Sequence, residues 1–326
     1  MALAFYQGAA MSNKSPIVVC GESLLDVFQN GETPTGLTLD AVVGGSPLNV
    51  AMGVARLGHP ALFFGGLSRD FLGERIERTL RAEGISMDAV LHCDAPTTLS
   101  LVGLDAQGVP SYRFYGHGGA DRQLRPEHLD RLPAEVAAFH FGSYACVVEP
   151  IAATIEALVE QRRHRSVIAY DPNVRLNVEP DLAVWRQRVD WMASRSHLLK
   201  LSDEDFERLY PGASPDGMAR HWQAAGVSLV MLTRGGEGAV AWTREGRCEV
   251  SAPRISVVDT VGAGDTFQAS TLVALAELGR LSPLGLARLT LDEATRIAAF
   301  AAGAAAITCT RRGPDLPHRA QLPAQI

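Results

Sequence analysis

The stretch Asp259-Thr260-Val261-Gly262-Ala263-Gly264-Asp265 decides how this chain is interpreted. The apolar residues 255–258 before it predict a short buried strand, and residues 266–278 after it carry apolar side chains at helical spacing. A turn from strand to helix leaves backbone N–H groups unpaired, and these groups together with the helix dipole favour an anion. The carboxylate of Asp265 stands in the first turn of that helix. An anion pocket beside a fixed base is what transfer of a phosphoryl group to a hydroxyl requires.

Two other interpretations of this motif have to be weighed. Asp265 could be a capping residue only, because Asp is common at helix starts. The two glycines before it and the second carboxylate at Asp259 favour the catalytic interpretation. The Gly-x-Gly turn also suggests dinucleotide binding, but Phe267 stands where that motif has its third glycine, and no acidic residue follows about 20 positions on. We therefore reject a dinucleotide-dependent oxidoreductase.

Composition restricts the class of protein. The chain has 326 residues, of which 47% are hydrophobic and 20% charged, as in a globular enzyme. The formal net charge of −6 and the absence of Lys/Arg runs predict no nucleic-acid partner. Five scattered cysteines without Cys-x-x-Cys spacing predict reduced thiols in the cytoplasm and neither a disulfide framework nor a zinc site. The longest uncharged apolar run, residues 297–310, is too short for a bilayer and predicts a buried helix, so no membrane association is expected.

The chain termini and the lysines add two expectations. Residues 1–15 lack the features of a signal peptide and are expected to form a disordered leader before the domain. Lysine occurs only at Lys14 and Lys200, which excludes the Gly-x-x-x-x-Gly-Lys-[Ser/Thr] phosphate loop. If the protein handles ATP, backbone amides, arginines and a metal must balance the phosphate charge.

Apolar runs that end in polar or glycine-rich turns recur along the chain, with helical patterns such as 150–163 and 216–225 between them. The turns begin at Gly21, Gly142, Asp171, Lys200, Thr233 and Asp259. This alternation predicts a mostly parallel sheet with helices on both faces, and ligands bind such sheets beyond the carboxyl ends of the strands. Residues 24–45 and 98–115 depart from the pattern, and the second segment predicts a β-hairpin with its turn at 106–108.

A second glycine-rich helix start lies at Gly44-Gly45-Ser46-Pro47-Leu48-Asn49. Ser46 fits the N-cap position and Pro47 the first helical position. Asn49 is polar within an otherwise apolar helix face. It is either a ligand contact or a structural residue that satisfies the helix end.

With both motifs considered, the chain resembles the ribokinase-like (PfkB) carbohydrate kinases from Ile17 to about Pro317. Residues 44–58 resemble the first family motif and residues 259–265 match the second. The resemblance implies one kinase domain over residues 16–320, folded as a three-layer α/β/α sandwich with a mostly parallel central sheet. It further implies a small β-sheet lid from segments 24–45 and 98–115, and ATP-dependent phosphorylation of a primary hydroxyl of a sugar.

Site residues follow from the resemblance position by position. Asp265 is the expected base, and Gly262, Ala263 and Gly264 form the expected anion hole. The expected substrate contacts are Asp26, Gly45, Asn49 and Arg175. A guanidinium suits oxyanions, but a structural salt bridge is an equal alternative for Arg175. The expected nucleotide side comprises Lys200, Ser202, Asp205, Thr233, Gly235 and Gly238, with the helix around Gly303 completing the adenine pocket. Ser202 and Asp205 depart from the family's Asn-x-x-Glu, and Asp259 and Val261 resemble positions that flank a potassium site.

The resemblance also bears on substrate and partners. Four segments look most like fructokinases and are shared in part with 2-keto-3-deoxygluconate kinases: residues 21–23, 112–121, 171–175 and 200–204. Fructose is therefore the expected acceptor, with 2-keto-3-deoxygluconate, another sugar or a nucleoside as alternatives. A sugar-binding regulator without catalysis is the alternative of a different class, and the intact Gly262–Asp265 turn argues against it. ATP, Mg²⁺ and K⁺ are the implied cofactors, and a homodimer through the lid is the implied assembly.

Overall fold

The computed structural model describes residues 15–104 and 110–326. In chain order the strands are β1 (Ile17–Cys20), β2 (Leu24–Thr33), β3 (Gly36–Gly44), β4 (Ala61–Phe64), β5 (Gly66–Ser68), β6 (Leu91–Cys93), β7 (Leu99–Leu104), β8 (Pro110–Tyr115), β9 (Ala138–Gly142), β10 (Val167–Asp171), β11 (Leu198–Ser202), β12 (Leu229–Thr233), β13 (Ala239–Thr243) and β14 (Gly246–Val250). The α-helices are α1 (Ser46–Arg56), α2 (Phe71–Ala82), α3 (Ile151–Arg162), α4 (Leu182–Ala193), α5 (Asp203–Leu209), α6 (Pro215–Ala225), α7 (Ala263–Glu277), α8 (Pro283–Ala287) and α9 (Leu291–Cys309).

The large sheet has eight strands in the order β14-β13-β12-β11-β10-β9-β1-β4. From β12 to β4 all neighbouring strands are parallel, and the hairpin β13–β14 adds two antiparallel strands at one edge. The carboxyl ends of β1, β9, β10, β11 and β12 therefore meet along one edge of the sheet. The polar turns that follow these strands lie at that edge, where parallel sheets bind their ligands.

Alternate residues of β1 show that the sheet is covered on both faces. Ile17 and Val19 belong to an apolar core shared with α1, α2, α7, α8 and α9. Val18 and Cys20 belong to a second core shared with α3, α4, α5 and α6. A continuous apolar strand with both faces buried is typical of such a sheet. The predicted three-layer α/β/α sandwich is confirmed.

Helix α7 occupies the centre of the first core, because all its residues from Asp265 to Leu275 are buried. Helix α1 packs closely against it at Gly53, where an added Cβ would lie 2.6 Å from the Cβ of Ala269. This close packing brings the starts of α1 and α7 to the same end of the domain.

A small sheet of four strands, in the order β3-β2-β7-β8, stands beside the large one. We call β2, β3, β7 and β8 the small sheet. Its strand β2 is antiparallel to β3 and parallel to β7, which places Asp26 between Val42 and Ser100. The smaller β-sheet expected from the sequence is thus present. Strand β3 is exposed along most of its length, and Leu37 and Leu39 are 60% and 50% exposed.

The buried strand predicted at residues 255–258 is wrong. These residues form no strand, and Val257 and Val258 are 62% and 64% exposed. The sheet position beside β12 is taken by the β13–β14 hairpin, so the segment runs along the end of α9 instead. There the N–H of Val258 donates to the carbonyl oxygen of Cys309 at 2.8 Å.

Two other expectations concern parts of the chain that the structure does not describe. The hairpin turn at 106–108 falls outside the described residues, and so does nearly all of the 1–15 leader. Among the helices described, none combines the length and apolar character needed to cross a membrane.

Candidate active site

Two helix starts meet at Asp265. The hydroxyl of Ser46 donates to Oδ1 of Asp265 at 2.6 Å, and Nδ2 of Asn49 donates to Oδ2 at 2.9 Å. Behind them, Nδ2 of Asn173 donates to the Ser46 hydroxyl oxygen at 2.7 Å. Asp265 is buried. Both oxygens of its carboxylate are therefore oriented by the glycine-rich helix start of α1.

This arrangement corrects the expected role of Ser46. The N-cap of α1 is Gly45, Ser46 is the first helical residue and no side chain caps the helix. The Ser46 hydroxyl is engaged with Asp265 and cannot also reach a backbone N–H of its own first turn. Asn49, whose structural and ligand-binding interpretations were both open, holds Asp265 with its amide nitrogen, while its buried Oδ1 has no hydrogen-bond partner among the described residues.

The turn before Asp265 needs glycine at its first position. Gly262 has φ +79°, and a Cβ there would lie 2.8 Å from the Cβ of Pro314. The carbonyl oxygen of Gly262 accepts from the N–H of Thr266 at 2.8 Å. Among the described residues, no acceptor faces the N–H groups of Gly264 and Asp265. The N–H of Ala263 donates to the carbonyl oxygen of Thr260 at 3.2 Å, so the amides left unpaired beside the Asp265 carboxylate are those of Gly264 and Asp265, and such amides at the start of a long helix favour an anion.

Asp26 lies close enough to Asp265 and to Arg175 for both charges to affect its pKa. Burial raises the pKa of Asp26, the charge of Asp265 acts in the same direction, and the Ser100 hydroxyl and Arg175 oppose both. Gly45 has φ +111°, and a Cβ there would lie 2.8 Å from the carbonyl oxygen of Glu22. The expected substrate residues Asp26, Gly45 and Asn49 thus lie around the start of α1, with Arg175 near Asp26.

The alternative of a structural salt bridge for Arg175 finds no support in the part of the chain that is described. Arg175 donates to the carbonyl oxygen of Val174 at 3.2 Å, and no carboxylate oxygen there lies within ion-pair distance of it. Its guanidinium therefore has hydrogen-bonding capacity left for a ligand.

Lys200 lies on β11, with its side chain beneath the glycine turn. Its Nζ is 2.7 Å from Oδ2 of Asp171, both side chains are almost fully buried, and a Cβ on Gly264 would lie 3.1 Å from that Nζ. Burial raises the pKa of Asp171, and the Lys200 ammonium opposes this shift. Oδ1 of Asp171 is buried without a hydrogen-bond partner among the described residues.

Ser202 and Asp205 both have structural partners. The Ser202 hydroxyl accepts from the N–H of Asp205 at 3.1 Å and caps α5. Oδ2 of Asp205 accepts from the N–H of Val174 at 3.2 Å, and Arg208 lies 3.3 Å from Oδ1. In register, Ser202 pairs with Thr233, so these two expected nucleotide residues are neighbours at the sheet edge.

A tight turn follows Thr233. The N–H of Gly238 donates to the carbonyl oxygen of Gly235 at 3.1 Å, and the carbonyl oxygen of Gly238 accepts from the N–H of Arg234 at 2.8 Å. Further along, Gly303 on α9 leaves open space where a side chain would stand. Ser202, Thr233, Gly235 and Gly238 thus lie at or just after the carboxyl ends of β11 and β12, and α5 begins directly after Ser202.

Asp259 joins the glycine turn to the loop after α9. Its Oδ1 accepts from the N–H of Val261 at 3.1 Å, and its Oδ2 accepts from the N–H of Gly313 at 2.8 Å. Within the described residues, the main-chain carbonyl oxygens of Asp259 and Val261 accept no hydrogen bond. These two carbonyl oxygens are therefore available as oxygen ligands.

Sequence reasoning missed several polar residues that the fold brings to this edge: Ser46 as a partner of Asp265, Asn173, Asp171, Glu22 and Asp121. Each lies near the carboxyl end of a strand or in the first turn of a helix. That position could have marked them as candidates, although it does not show which of them contact one another. Glu22 is buried, and burial raises its pKa to about 8, with the Asp121 charge adding to the shift and the Ser143 hydroxyl, the backbone and Arg175 opposing it.

Comparison with known proteins identifies the family of this chain. The profile of the pfkB family carbohydrate kinases matches residues 14–320. A fructokinase of Rhizobium leguminosarum bv. trifolii is 35% identical over 259 residues, 79% of each chain. A probable fructokinase-4 of Arabidopsis thaliana is 30% identical over 96% of this chain and 97% of its own. The structure of a Xylella fastidiosa fructokinase with bound ATP superposes with a TM-score of 0.84 at 25% identity, over 94% of this chain and 96% of that one. The chain therefore belongs to the pfkB family of carbohydrate kinases.

Proposed function

We propose that this protein is an ATP-dependent sugar kinase that transfers the γ-phosphate to a primary hydroxyl of fructose. The observation that carries the proposal is the buried carboxylate of Asp265, fixed by Ser46 and Asn49 beside the unpaired N–H groups at the start of α7. A base and an anion site in contact are the two parts that phosphoryl transfer to a hydroxyl needs.

In the proposed reaction, the sugar lies between the small sheet and α1, where Asp26 and the free Oδ1 of Asn49 accept hydrogen bonds from its hydroxyls. Asp265 takes the proton of the attacking hydroxyl, while the N–H groups of Gly264 and Asp265 bind the γ-phosphate. The transition state of such transfers is loose, so general-base catalysis contributes on the order of 10²–10⁴-fold, and positioning and electrostatics contribute the rest.

The family implies ATP and a divalent cation, and this chain fits a cation held mainly by phosphates and water. Within the described residues no group of three or more His, Cys, Asp or Glu side chains could hold a metal. The spare, buried Oδ1 of Asp171 is an oxygen acceptor of the kind Mg²⁺ prefers, directly or through water. When bound, Mg²⁺ would neutralise the negative charge that develops on the phosphate oxygens during the transfer.

For K⁺, the free main-chain carbonyl oxygens of Asp259 and Val261 are the ligands we propose. The Asp259 carboxylate would orient the two segments around the ion through its bonds to Val261 and Gly313. For ATP, we propose that the turn Thr233–Gly238 and Lys200 contact the phosphates, and that the exposed apolar Val257 and Val258 with Gly303 of α9 form the adenine pocket.

Fructose is proposed over other acceptors because relatives named fructokinase cover most of the chain. We further propose that the small sheet is a lid over the acceptor and that a homodimer forms through its exposed strand β3, where Leu37 and Leu39 offer apolar surface. A cytoplasmic location remains a prediction from the cysteine pattern.

The test is ADP release by the purified protein with ATP, Mg²⁺ and one acceptor at a time: fructose, 2-keto-3-deoxygluconate, ribose or adenosine. We expect the highest kcat/KM with fructose and loss of turnover in Asp265→Asn. A higher value with another acceptor would replace fructose but keep the kinase. Fructose binding without turnover in the wild type would instead support the non-catalytic regulator.

A further inference from the structure

Both hairpins of the small sheet are connected to the main body near one residue, Thr98. Strand β7 begins at the next position, and the carbonyl oxygen of Thr98 accepts from the N–H of Leu25 on β2 at 3.1 Å. The end of β8 returns to the same point, because a Cβ on Gly116 would lie 2.6 Å from Cγ2 of Thr98. A rotation of the small sheet against the large one would therefore change the contacts around Thr98.

The side chain of Thr98 is held by a buried carboxylate. Its hydroxyl donates to Oδ1 of Asp121, and the phenol of Tyr144 donates to Oδ2 of Asp121 at 2.9 Å. Thr98, Asp121 and Tyr144 are 1%, 2% and 1% exposed. Tyr144 lies in the short 3-10 turn that follows β9, a central strand of the large sheet. One carboxylate oxygen thus faces the small sheet and the other faces the large sheet.

We call the hydrogen bonds from Thr98 and Tyr144 to Asp121 the bridge. A buried carboxylate of this kind is an inefficient way to stabilise the fold, if stability is its only role. Burial raises the pKa of Asp121, and the Thr98 and Tyr144 hydrogen bonds and the Arg122 charge oppose that shift. A buried ionised group gains little net stability over apolar residues of similar volume, but removing one of its partners is expensive. The bridge therefore imposes one geometry on the two bodies that it joins.

We propose that Asp121 is a positioning residue for sugar binding: through Thr98 on one side and Tyr144 on the other, it sets the angle at which the small sheet leaves the large one. That angle decides how far Asp26 on β2 stands from Asp265. The inference rests on the proposed function for its consequence in catalysis, but not for its structural test.

The structural test uses hydrogen exchange without any substrate. Thr98→Val and Tyr144→Phe each remove one hydrogen bond of the bridge at nearly constant volume, and we expect faster exchange in strands β2, β3, β7 and β8. The matched control is Thr154→Val, which removes the buried bond from the Thr154 hydroxyl to the carbonyl oxygen of Leu124, 3.0 Å, on α3. It should lower the melting temperature to a similar degree and leave the small sheet unchanged. If the exchange rates of the small sheet were the same in Thr98→Val, Tyr144→Phe and Thr154→Val, the proposal would be overturned.

The functional test compares fructose and ATP in the same variants. We expect Thr98→Val to raise the KM or Kd for fructose on the order of tenfold, the size of a lost hydrogen bond to a charged group, with the KM for ATP nearly unchanged. Thr98→Ser keeps the hydroxyl and should restore fructose binding.

A double variant tests whether Thr98 acts through Asp121. In Thr98→Val/Asp121→Asn the loss of fructose affinity should not exceed that of Asp121→Asn alone, because both changes act on one bridge. Losses of fructose affinity that add up in the double variant would contradict the proposal. So would a rise of the fructose KM in Thr154→Val as large as that in Thr98→Val, because it would show that the KM depends only on stability. Absence of turnover with every acceptor in the wild type would count against the proposed function only. The hydrogen-exchange test reports the mobility of the small sheet without any substrate, so it would still decide the role of Asp121.

Discussion

Asn49 donates its amide hydrogen bond to the Asp265 carboxylate across a sequence separation of 216 residues. Through this bond the first family motif orients the carboxylate that the second motif supplies, the one we propose as the base. Neither motif alone builds the site, since the unpaired amides belong to α7 and the two side chains that fix the carboxylate belong to α1.

Asp265→Asn is expected to lower kcat by about 10²–10⁴-fold, because an amide cannot accept the hydroxyl proton. Fructose binding should stay within a few-fold of the wild type, since Asp265 acts in the transition state more than in the ground state. Steady-state kinetics and calorimetric sugar binding measure the two effects. Asp292→Asn, on the exposed pair with Arg296, is the control and should change neither. Retention of more than about a tenth of kcat in Asp265→Asn would exclude the base role.

Ser46→Ala distinguishes the two roles considered for this serine. As a partner of Asp265 it should lower kcat by on the order of tenfold, the effect of losing one charge-assisted hydrogen bond, with little change in melting temperature. Ser214→Ala removes a true N-cap, that of α6, and should lower the melting temperature while leaving kcat intact. A Ser46→Ala variant that loses stability and keeps its kcat would return Ser46 to a capping role.

Gly264→Val should impair turnover more than folding. The added Cβ would lie 3.1 Å from the Lys200 Nζ, while the branched side chain would stand where we propose that the phosphate binds. Gly217→Val in α6 is the control, because a Cβ there meets only ordinary contacts at 3.5 Å or more. Kinetics and thermal denaturation of both variants decide the point. Normal ATP affinity and kcat in folded Gly264→Val would refute the anion-hole assignment.

Asp26→Ala tests closure of the small sheet over the sugar. A ligand can favour the closed state only if it contacts both the small sheet and the main domain. We therefore expect the Asp26→Ala variant to bind fructose on the order of tenfold more weakly. We also expect it to hydrolyse more ATP for each sugar that it phosphorylates. Fructose should protect strands β2, β3, β7 and β8 from hydrogen exchange in the wild type and less in the variant. Asp40→Ala, exposed on β3 of the same sheet, should behave as the wild type. Protection by fructose that is equal in Asp26→Ala and wild type would contradict closure.

Glu22 should make stability depend on pH. Its pKa rises from 4.5 to about 8 in the folded protein, so the folded state binds the proton more tightly than the unfolded chain does. The contribution of protonated Glu22 to the free energy of unfolding is therefore complete below the pKa of Glu22 in the unfolded chain. It is lost as the pH rises through the pKa of Glu22 in the folded protein. Between about pH 5 and about pH 9 the melting temperature of the wild type should therefore fall more steeply than that of Glu22→Gln. Parallel curves for the two proteins would show that Glu22 does not carry the proton.

The sequence predicted the layered fold well because strands such as β1 and β9 are short apolar runs that end in polar turns. It failed at residues 255–258, where apolar character does not reveal whether a sheet position is free. The identity of Asp265 followed from its local turn, but its partnership with Ser46 depends on the packing of α1 on α7, which no local pattern records. The same holds for Thr98, Asp121 and Tyr144, which come together only through the arrangement of the two sheets.

The close packing of α1 on α7 has a consequence for synthesis of the protein. A nascent chain that has emerged as far as β12 already carries Asp26, Gly45 and Asn49, yet it lacks both Asp265, the proposed proton acceptor, and the amides proposed to bind phosphate. Because these follow together in one short segment after β14, a chain made only as far as β12 has no assembled form of the proposed site. Turnover of ATP by this site would therefore report that α1 and α7, which are far apart in the sequence, have packed together.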